Sequence, residues 1–292
     1  MKSKKIGLSI LATLVIAVFA VCALMPFFFL FISSFKPGSE MIRNGLQFKF
    51  DFENYSLVNY GLLRTERNGI YIRWYINSIV IMVIQVATGL FFSSLVGYGL
   101  AKYDFKGRNV IFLLVLMVMM VPVEILILPL YKEINMFNMI DTYGGVVLPF
   151  IVPATGIFFF RQFASGLPTE IMESGRIDGC GEFGIFFKLM MPIMLPAYGA
   201  MTILLAMGSW NSMVWPMIVL RTSEMQTLPI GLQSLLTPYG NNYDMLLSGA
   251  VMSVLPIMVI FLLNQKTFIA GMAAGSVKGL GLNAKTEFVS YI

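Results

Sequence analysis

The sequence predicts an all-α membrane protein of six transmembrane helices, with a short polar helical segment between the fourth and fifth. Three observations carry this. Apolar residues make up 58% of the 292 residues and charged residues only 12%, against about half and a quarter in a soluble domain. Mean hydropathy is +0.80. Apolar runs with few or no charges, long enough to cross a hydrocarbon core, recur along the chain, each needing roughly 20 residues.

The first run lies between Lys5 and Lys36 and passes through Pro26 into FFFLFISSF, so it reads as a retained helix near residues 8–33. A cleaved signal would have a shorter apolar region and a small-residue exit. A second helix, near 75–101, fills the interval from Arg73 to Lys102, and a third, near 110–131, carries Pro122, Glu124 and Pro129. The fourth is expected near 142–163, the fifth near 194–219 and the sixth near 245–265. Six spans and their loops use nearly the whole chain, which reads as one transmembrane domain, 1–292.

Orientation follows from Lys and Arg in the short loops. With the N-terminus inside, the cytoplasmic segments are MKSKK, Ala101–Asn109, Arg161–Lys188 and the tail from Lys266, and they hold twelve of the twenty basic residues. The short outer loops hold only Lys132 and Arg221. Both termini are therefore expected inside, and the segment 166–192 faces the cytoplasm.

Composition also excludes. The chain has no histidine and two cysteines, Cys22 and Cys180, which six spans hold far apart. A disulfide framework and a Cys/His metal site are excluded by count. The commonest general base and proton relay is missing, which argues against an enzyme and against a His-based proton-coupled carrier. The net charge of +5 is spread over the ends of apolar runs, so topology explains it better than nucleic acid.

The polar segment has helix signals of its own. Pro168 suits a first turn, where its missing N–H is harmless. Glu170 and Glu173 follow where the helix dipole favours carboxylates, and Gly179 stands where a left-handed cap belongs. The expectation is a helix over about Pro168–Asp178, a turn through Gly179, Cys180 and Gly181, and a second amphipathic stretch, Glu182–Met191, stopping at Pro192. Such a helix–turn–helix offers a rigid knob to a soluble partner, and a merely solvated loop is the competing reading.

At these residues the chain resembles the inner-membrane permeases of ABC importers. Their signature reads E-A-A, three residues, Gly, nine residues, then I-x-L-P. Here Glu173-Ser174-Gly175 stands for E-A-A, Gly179 has the required spacing, and Leu189-Met190-Met191-Pro192 keeps the proline. The string Arg176–Gly179, RIDG, resembles the carbohydrate branch, with its maltose-type and glycerol-phosphate-type permeases. Trp210-Asn211 with Trp215-Pro216, Asn77-Ser78, Met120-Val121-Pro122 before Pro129-Leu130-Tyr131, and Gln265–Phe268 with Gly271 and Gly275–Gly279 resemble further stretches of that branch. The likeness runs along essentially the whole chain.

The resemblance implies a type I ABC importer permease: a subunit of an ATP-driven importer that moves a carbohydrate from an extracytoplasmic solute-binding protein into a bacterial cytoplasm. It implies a second homologous permease and two ATPase subunits as partners, with ATP and Mg bound by the ATPases and no cofactor in this chain. The helix Pro168–Asp178 would then be a coupling helix docked in a groove of the ATPase. Glu173 would pair with a basic residue there, and Gly179 would permit the turn and the close approach. Ser174 and Gly175 keep the side chains small, although Gly175 should weaken the helix by about 1 kcal/mol relative to Ala. Asp178 and Pro192 complete the coupling set. A sugar-phosphate importer is the alternative within the family. An ion-coupled carrier, which would show inverted repeats, is the alternative outside it.

Other residues carry two readings each. Glu124 is the acid inside a span, and such acids are functional candidates; it lines the sugar path, or it is buried against a partner helix or reaches outer water. Trp210, Asn211 and Trp215 face the path or pack between helices, Asn211 being the costliest to bury unpaired. The outer loop Leu236–Asp244, with Pro238, Tyr239, Asn241, Asn242 and Tyr243, either reaches the binding protein or merely connects helices. Gly271–Lys278 superficially resembles a phosphate loop but lacks the Gly-Lys-Ser/Thr ending, a preceding strand and a following helix, so no ATP site is expected.

Overall fold

The computed structural model describes residues 2–40, 55–237 and 240–276. Helices dominate. In chain order they are α1 (Lys2–Ser33), α2 (Val58–Thr65), α3 (Ile70–Lys102), α4 (Arg108–Met120), α5 (Val123–Met136), α6 (Tyr143–Val147), α7 (Ala154–Ala164), α8 (Glu170–Ile177) and α9 (Glu182–Ile193). Then come α10 (Leu195–Trp210), α11 (Val214–Val219), α12 (Leu228–Gln233) and α13 (Tyr243–Ser276). A two-residue antiparallel ribbon pairs β1 (Leu236–Thr237) with β2 (Gly240–Asn241).

Among the described residues three helical stretches are long and apolar enough to cross a membrane: Ile10–Ser33, Val58–Lys102, which kinks at Arg67 and Asn68 between α2 and α3, and Tyr243–Ile269. The spans expected near 110–131 and 142–163 are each two helices, bent by 103° between α4 and α5 and by 42° at the join before α7. The α9–α10 junction bends by 78°. If each bent pair is one span the number is six. Sequence periodicity does not report such bends, but proline does. Pro122 caps α5, Pro153 caps α7, and Pro196 lies in the first turn of α10, where a residue without an N–H is tolerated. The span expected over 194–219 is likewise broken, with non-helical residues 211–213 between α10 and α11.

The chain divides into two compact units. One holds the residues up to Ile76 together with Gln226–Leu255. Its α1 is exposed from Ile10 to Phe28, whereas the turn after α1 is well tied. The buried Asn59 amide donates to the carbonyls of Ser34 (2.9 Å) and Lys36 (2.8 Å), satisfying two carbonyls of the turn that follows the helix. Trp74, almost fully buried, lies flat where a Cβ on Gly231 would stand.

The other unit holds Asn77–Met225 and the chain from Pro256 onward. In it α3 and α7 cross on small residues. Gly89, Ser93 and Gly97 recur every four positions on one face of α3, and Pro153, Gly156 and Phe160 meet them. A Cβ on Gly97 would stand 2.8 Å from the Ile157 carbonyl oxygen and from Phe160 Cβ. Close backbone approach through small residues is the usual device of helix association in lipid, where hydrophobicity supplies no drive. Below this crossing a cluster of Tyr98, Phe160, Met172, Ile185, Phe186 and Met190 joins α3, α7, α8 and α9.

Candidate functional site

The segment α8–α9 is built around one turn. Gly179 has φ +78°. The Gly179 N–H donates to the Arg176 carbonyl at 3.0 Å, and the Cys180 N–H reaches back to the Gly175 carbonyl at 2.9 Å. This pair of bonds is a Schellman cap, and its left-handed residue is the one where glycine carries no Cβ penalty. The helix spans Glu170–Ile177, with Pro168 before it and Asp178 as its C-cap.

Gly175 has a second role. It is buried, and a Cβ there would lie 2.7 Å from Leu189 Cδ1 and 3.0 Å from Ile185 Cγ1. The missing side chain therefore lets α9 press onto α8, which its helix propensity alone did not reveal. The second stretch departs from the expectation of an amphipathic helix stopping at Pro192. Ile185–Met190 is a π-helix, and helical backbone continues through Pro192 to Ile193. Proline lacks a donor and its ring crowds the preceding turn; the wider π turn directly before it makes that room.

Glu182 pins this knob. Arg176 Nε and Nη2 donate to its two carboxylate oxygens at 2.8 and 3.2 Å. The Tyr103 hydroxyl, just past the end of α3, donates to the second oxygen at 2.5 Å. The Arg176 and Tyr103 hydrogen bonds hold the Glu182 carboxyl below the usual glutamate range. Burial first, then the bond to Glu182, pushes the Tyr103 phenol up. Lys102 Nζ also donates to the Leu167 carbonyl, tying the end of α3 to the approach to α8.

While Met172 and Gly175 face inward, Glu173, Ser174, Ile177 and Asp178 face out. The Ser174 hydroxyl bonds back to the Glu170 carbonyl at 2.8 Å, and Glu170, Glu173 and Asp178 are the exposed acids of the helix and its cap. Ile177 is 86% exposed, an apolar side chain between Arg176 and Asp178 at the tip of a rigid turn. Sequence reasoning met Ile177 within the string RIDG. Its signal was its position directly before Asp178-Gly179, where the helix ends and packing stops. Pro192 is exposed at the far end of α9.

A cavity of about 640 Å³ opens in the same unit, within the range of small-molecule sites. Glu124 and Trp215 line it, with Gln85, Thr155, Ser209 and Ser212 as further polar walls that sequence reasoning had not singled out. Trp215 is buried, donates its indole N–H to the Gly145 carbonyl at 3.2 Å and meets Phe150 edge-on at 6.2 Å. Trp210 and Asn211 are not among the lining residues. Trp210 is buried, and the exposed Asn211 caps α10 with its amide turned back to the Met207 carbonyl at 3.0 Å.

In the first unit, Asn242 caps α13 by accepting the Met245 N–H at 3.1 Å, and the Asn241 amide donates to the Tyr243 hydroxyl at 3.0 Å. Pro238 and Tyr239 lie outside the described residues, as does the terminal stretch from Val277 that completes GMAAGSVK. No cluster of three or more metal-ligating side chains occurs among the described residues.

Broken helices around a cavity, with a separate exposed helical knob, define a multi-pass membrane transport subunit. Residues 89–270 match the family described as binding-protein-dependent transport system inner membrane component, and the chain belongs to that family, as a permease subunit of an ABC transporter. It is 53% identical to the arabinooligosaccharides transport system permease protein AraQ of Bacillus subtilis (strain 168), over 91% of this chain and 95% of that one. It is 30% identical to the lactose transport system permease protein LacG of Rhizobium radiobacter, over 90% and 94%. Its fold is that of a chain in the crystal structure of a bacterial ABC transporter involved in the import of the acidic polysaccharide alginate. That match has a TM-score of 0.76 at 23% identity, over 91% of this chain and 98% of the other.

Proposed function

We propose that this chain is one of two homologous permeases in an ATP-driven importer that carries an oligosaccharide of the arabino-oligosaccharide kind into the cytoplasm. An extracytoplasmic binding protein delivers the sugar. Two ATPase subunits, which hold ATP and Mg, supply the work, and this chain binds no nucleotide. Both termini and the α8–α9 knob face the cytoplasm, and the protein resides in a bacterial cell membrane.

The observation that carries the coupling role is the split character of α8. Its inner face is locked by Met172 and Gly175 against α9. Its outer face presents Glu173, Ile177 and Asp178 exposed. A rigid tip with an exposed apolar side chain between acids suits a groove of opposite charge with an apolar floor. Inward motion of such a groove would pass through α9 into α10 and through Tyr103 into α3.

The test uses the assembled transporter in vesicles. Ile177→Ser and Glu173→Ala should each leave the permease at its normal membrane level, remove the ATPase subunits on purification and cut arabinotriose uptake at least about tenfold. Wild-type uptake by both variants would refute the docking role. The substrate reading has its own check, since a wild-type complex that takes up no arabinotriose would refute it.

A further inference from the structure

Three interruptions of helical backbone meet at the cavity. The α4–α5 break brings Glu124, the break before α7 brings Pro153 and Thr155, and the break between α10 and α11 brings Ser212 and Met213. Irregular backbone at membrane depth is tolerated where it is buried in protein or lines a water-filled space. The convergence of three breaks marks this cavity as a wetted one.

Its polar groups have a distinct balance. Glu124 is the one ionisable side chain among the lining residues, which include no Lys or Arg. It stands in the first turn of α5. The Ser209 oxygen is buried and makes no hydrogen bond among the described residues. Gln85 reaches the Val146 carbonyl only at 3.5 Å, so its amide has little to lose by turning to a ligand. A carboxylate accepts only, whereas hydroxyls and an amide both donate and accept. The set therefore matches a ligand rich in hydroxyl groups, and Trp215 adds an apolar wall.

Charge decides which hydroxyl-rich ligand. The helix starts of α5 and α7 lend partial positive charge to this space, and the Glu124 carboxylate offsets it. A neutral sugar leaves that balance intact. A uronate or sugar phosphate would set a second anion beside Glu124, and like charges at close range repel.

Resting on the carbohydrate reading above, we infer that Glu124, with Gln85, Thr155, Ser209 and Ser212, forms a hydroxyl-binding site that admits uncharged sugars and rejects acidic ones. Glu124 is a specificity determinant, not merely a polar wall. Its removal leaves the helix starts unopposed, so an acidic sugar should then gain entry to the cavity.

The experiment places a single cysteine in the cavity wall, Met213→Cys, in a chain carrying Cys22→Ser and Cys180→Ser. The full transporter is held in nanodiscs, and the rate of modification by a small neutral thiol reagent is followed. With Glu124 present, arabinotriose should slow labelling and trigalacturonate should not. In Glu124→Gln, protection should need about tenfold more arabinotriose, the loss expected for one charge-assisted hydrogen bond, and trigalacturonate should now protect. Ser209→Ala should weaken arabinotriose protection without admitting the acid. If Met213→Cys fails to assemble, Val214→Cys at the next lining position serves instead.

Trigalacturonate protection that is the same with Glu124 present as in Glu124→Gln would overturn the charge filter. So would arabinotriose protection that ignores Glu124→Gln. If arabinotriose fails to protect although the same complex imports it, this cavity is not the site and the carbohydrate reading stands.

Discussion

Gly175 and Glu182 show how much rests on single residues of the knob. Replacing Gly175 by Ala gains about 1 kcal/mol of helix propensity, but the new methyl must push Leu189 Cδ1 from 2.7 Å. The tip of Leu189 can yield, so Gly175→Ala should leave thermal stability nearly unchanged. Gly175→Val cannot be absorbed by one side-chain tip. It should destabilise by about 1–3 kcal/mol, the usual cost of overpacking, seen as a lower melting midpoint of the purified protein. A midpoint equal to that of the wild type would show that α9 does not bear on α8 as described.

Glu182 makes a pH prediction with a definite sign. Its carboxyl is held below the glutamate value of 4.5 by Arg176 and then Tyr103. A depressed carboxylate stabilises its contacts above the unfolded pKa and loses that contribution as pH falls through the folded value. The pin should therefore stay closed across the neutral range and open only in acid below about 4.5. Glu182→Gln mimics the opened state at neutral pH. It should lower the number of sugars moved per ATP in the assembled transporter, with Glu182→Asp recovering part of it. An unchanged ratio in the Gln variant would mean that the pin transmits nothing.

At the scale of elements, the α3–α7 crossing is the joint most sensitive to size. Gly89, Ser93 and Gly97 let the two backbones approach, and Gly97 has the Ile157 carbonyl and Phe160 against it. Gly97→Leu should prevent that approach and sharply reduce the amount of folded protein recovered from membranes, whereas Gly99→Leu, two residues on and facing open space, should be tolerated. Comparable yields of the two variants would argue against the crossing. The four-residue spacing of small residues was present in the sequence. It was overshadowed there by the uniform apolarity of the run, because hydropathy registers composition and not which face is small.

At the scale of the whole molecule, the orientation proposed from Lys and Arg places α8–α9 inside the cell. A cysteine at exposed Phe183, introduced with Cys22→Ser and Cys180→Ser, should react with a membrane-impermeant maleimide in inverted vesicles and stay unlabelled in intact cells freed of their outer layers. Labelling only in the cells would invert the topology.

The sequence by itself determined the class of the fold, because crossing a bilayer demands long apolar runs and leaves little freedom in composition. It also located the knob, since proline, acids and a cap glycine have local meanings that need no distant contact. What only the tertiary structure decided depends on residues far apart in the chain. Glu182 gains its role from Tyr103, 79 residues away, and Gly175 from Leu189 on the next helix. The cavity likewise assembles Gln85, Glu124, Thr155, Ser209 and Ser212 from separate elements at three helix breaks. Linear spacing encodes what one helix does with its own turns; the direction in which a broken helix resumes, and what it then faces, is set by packing against its neighbours.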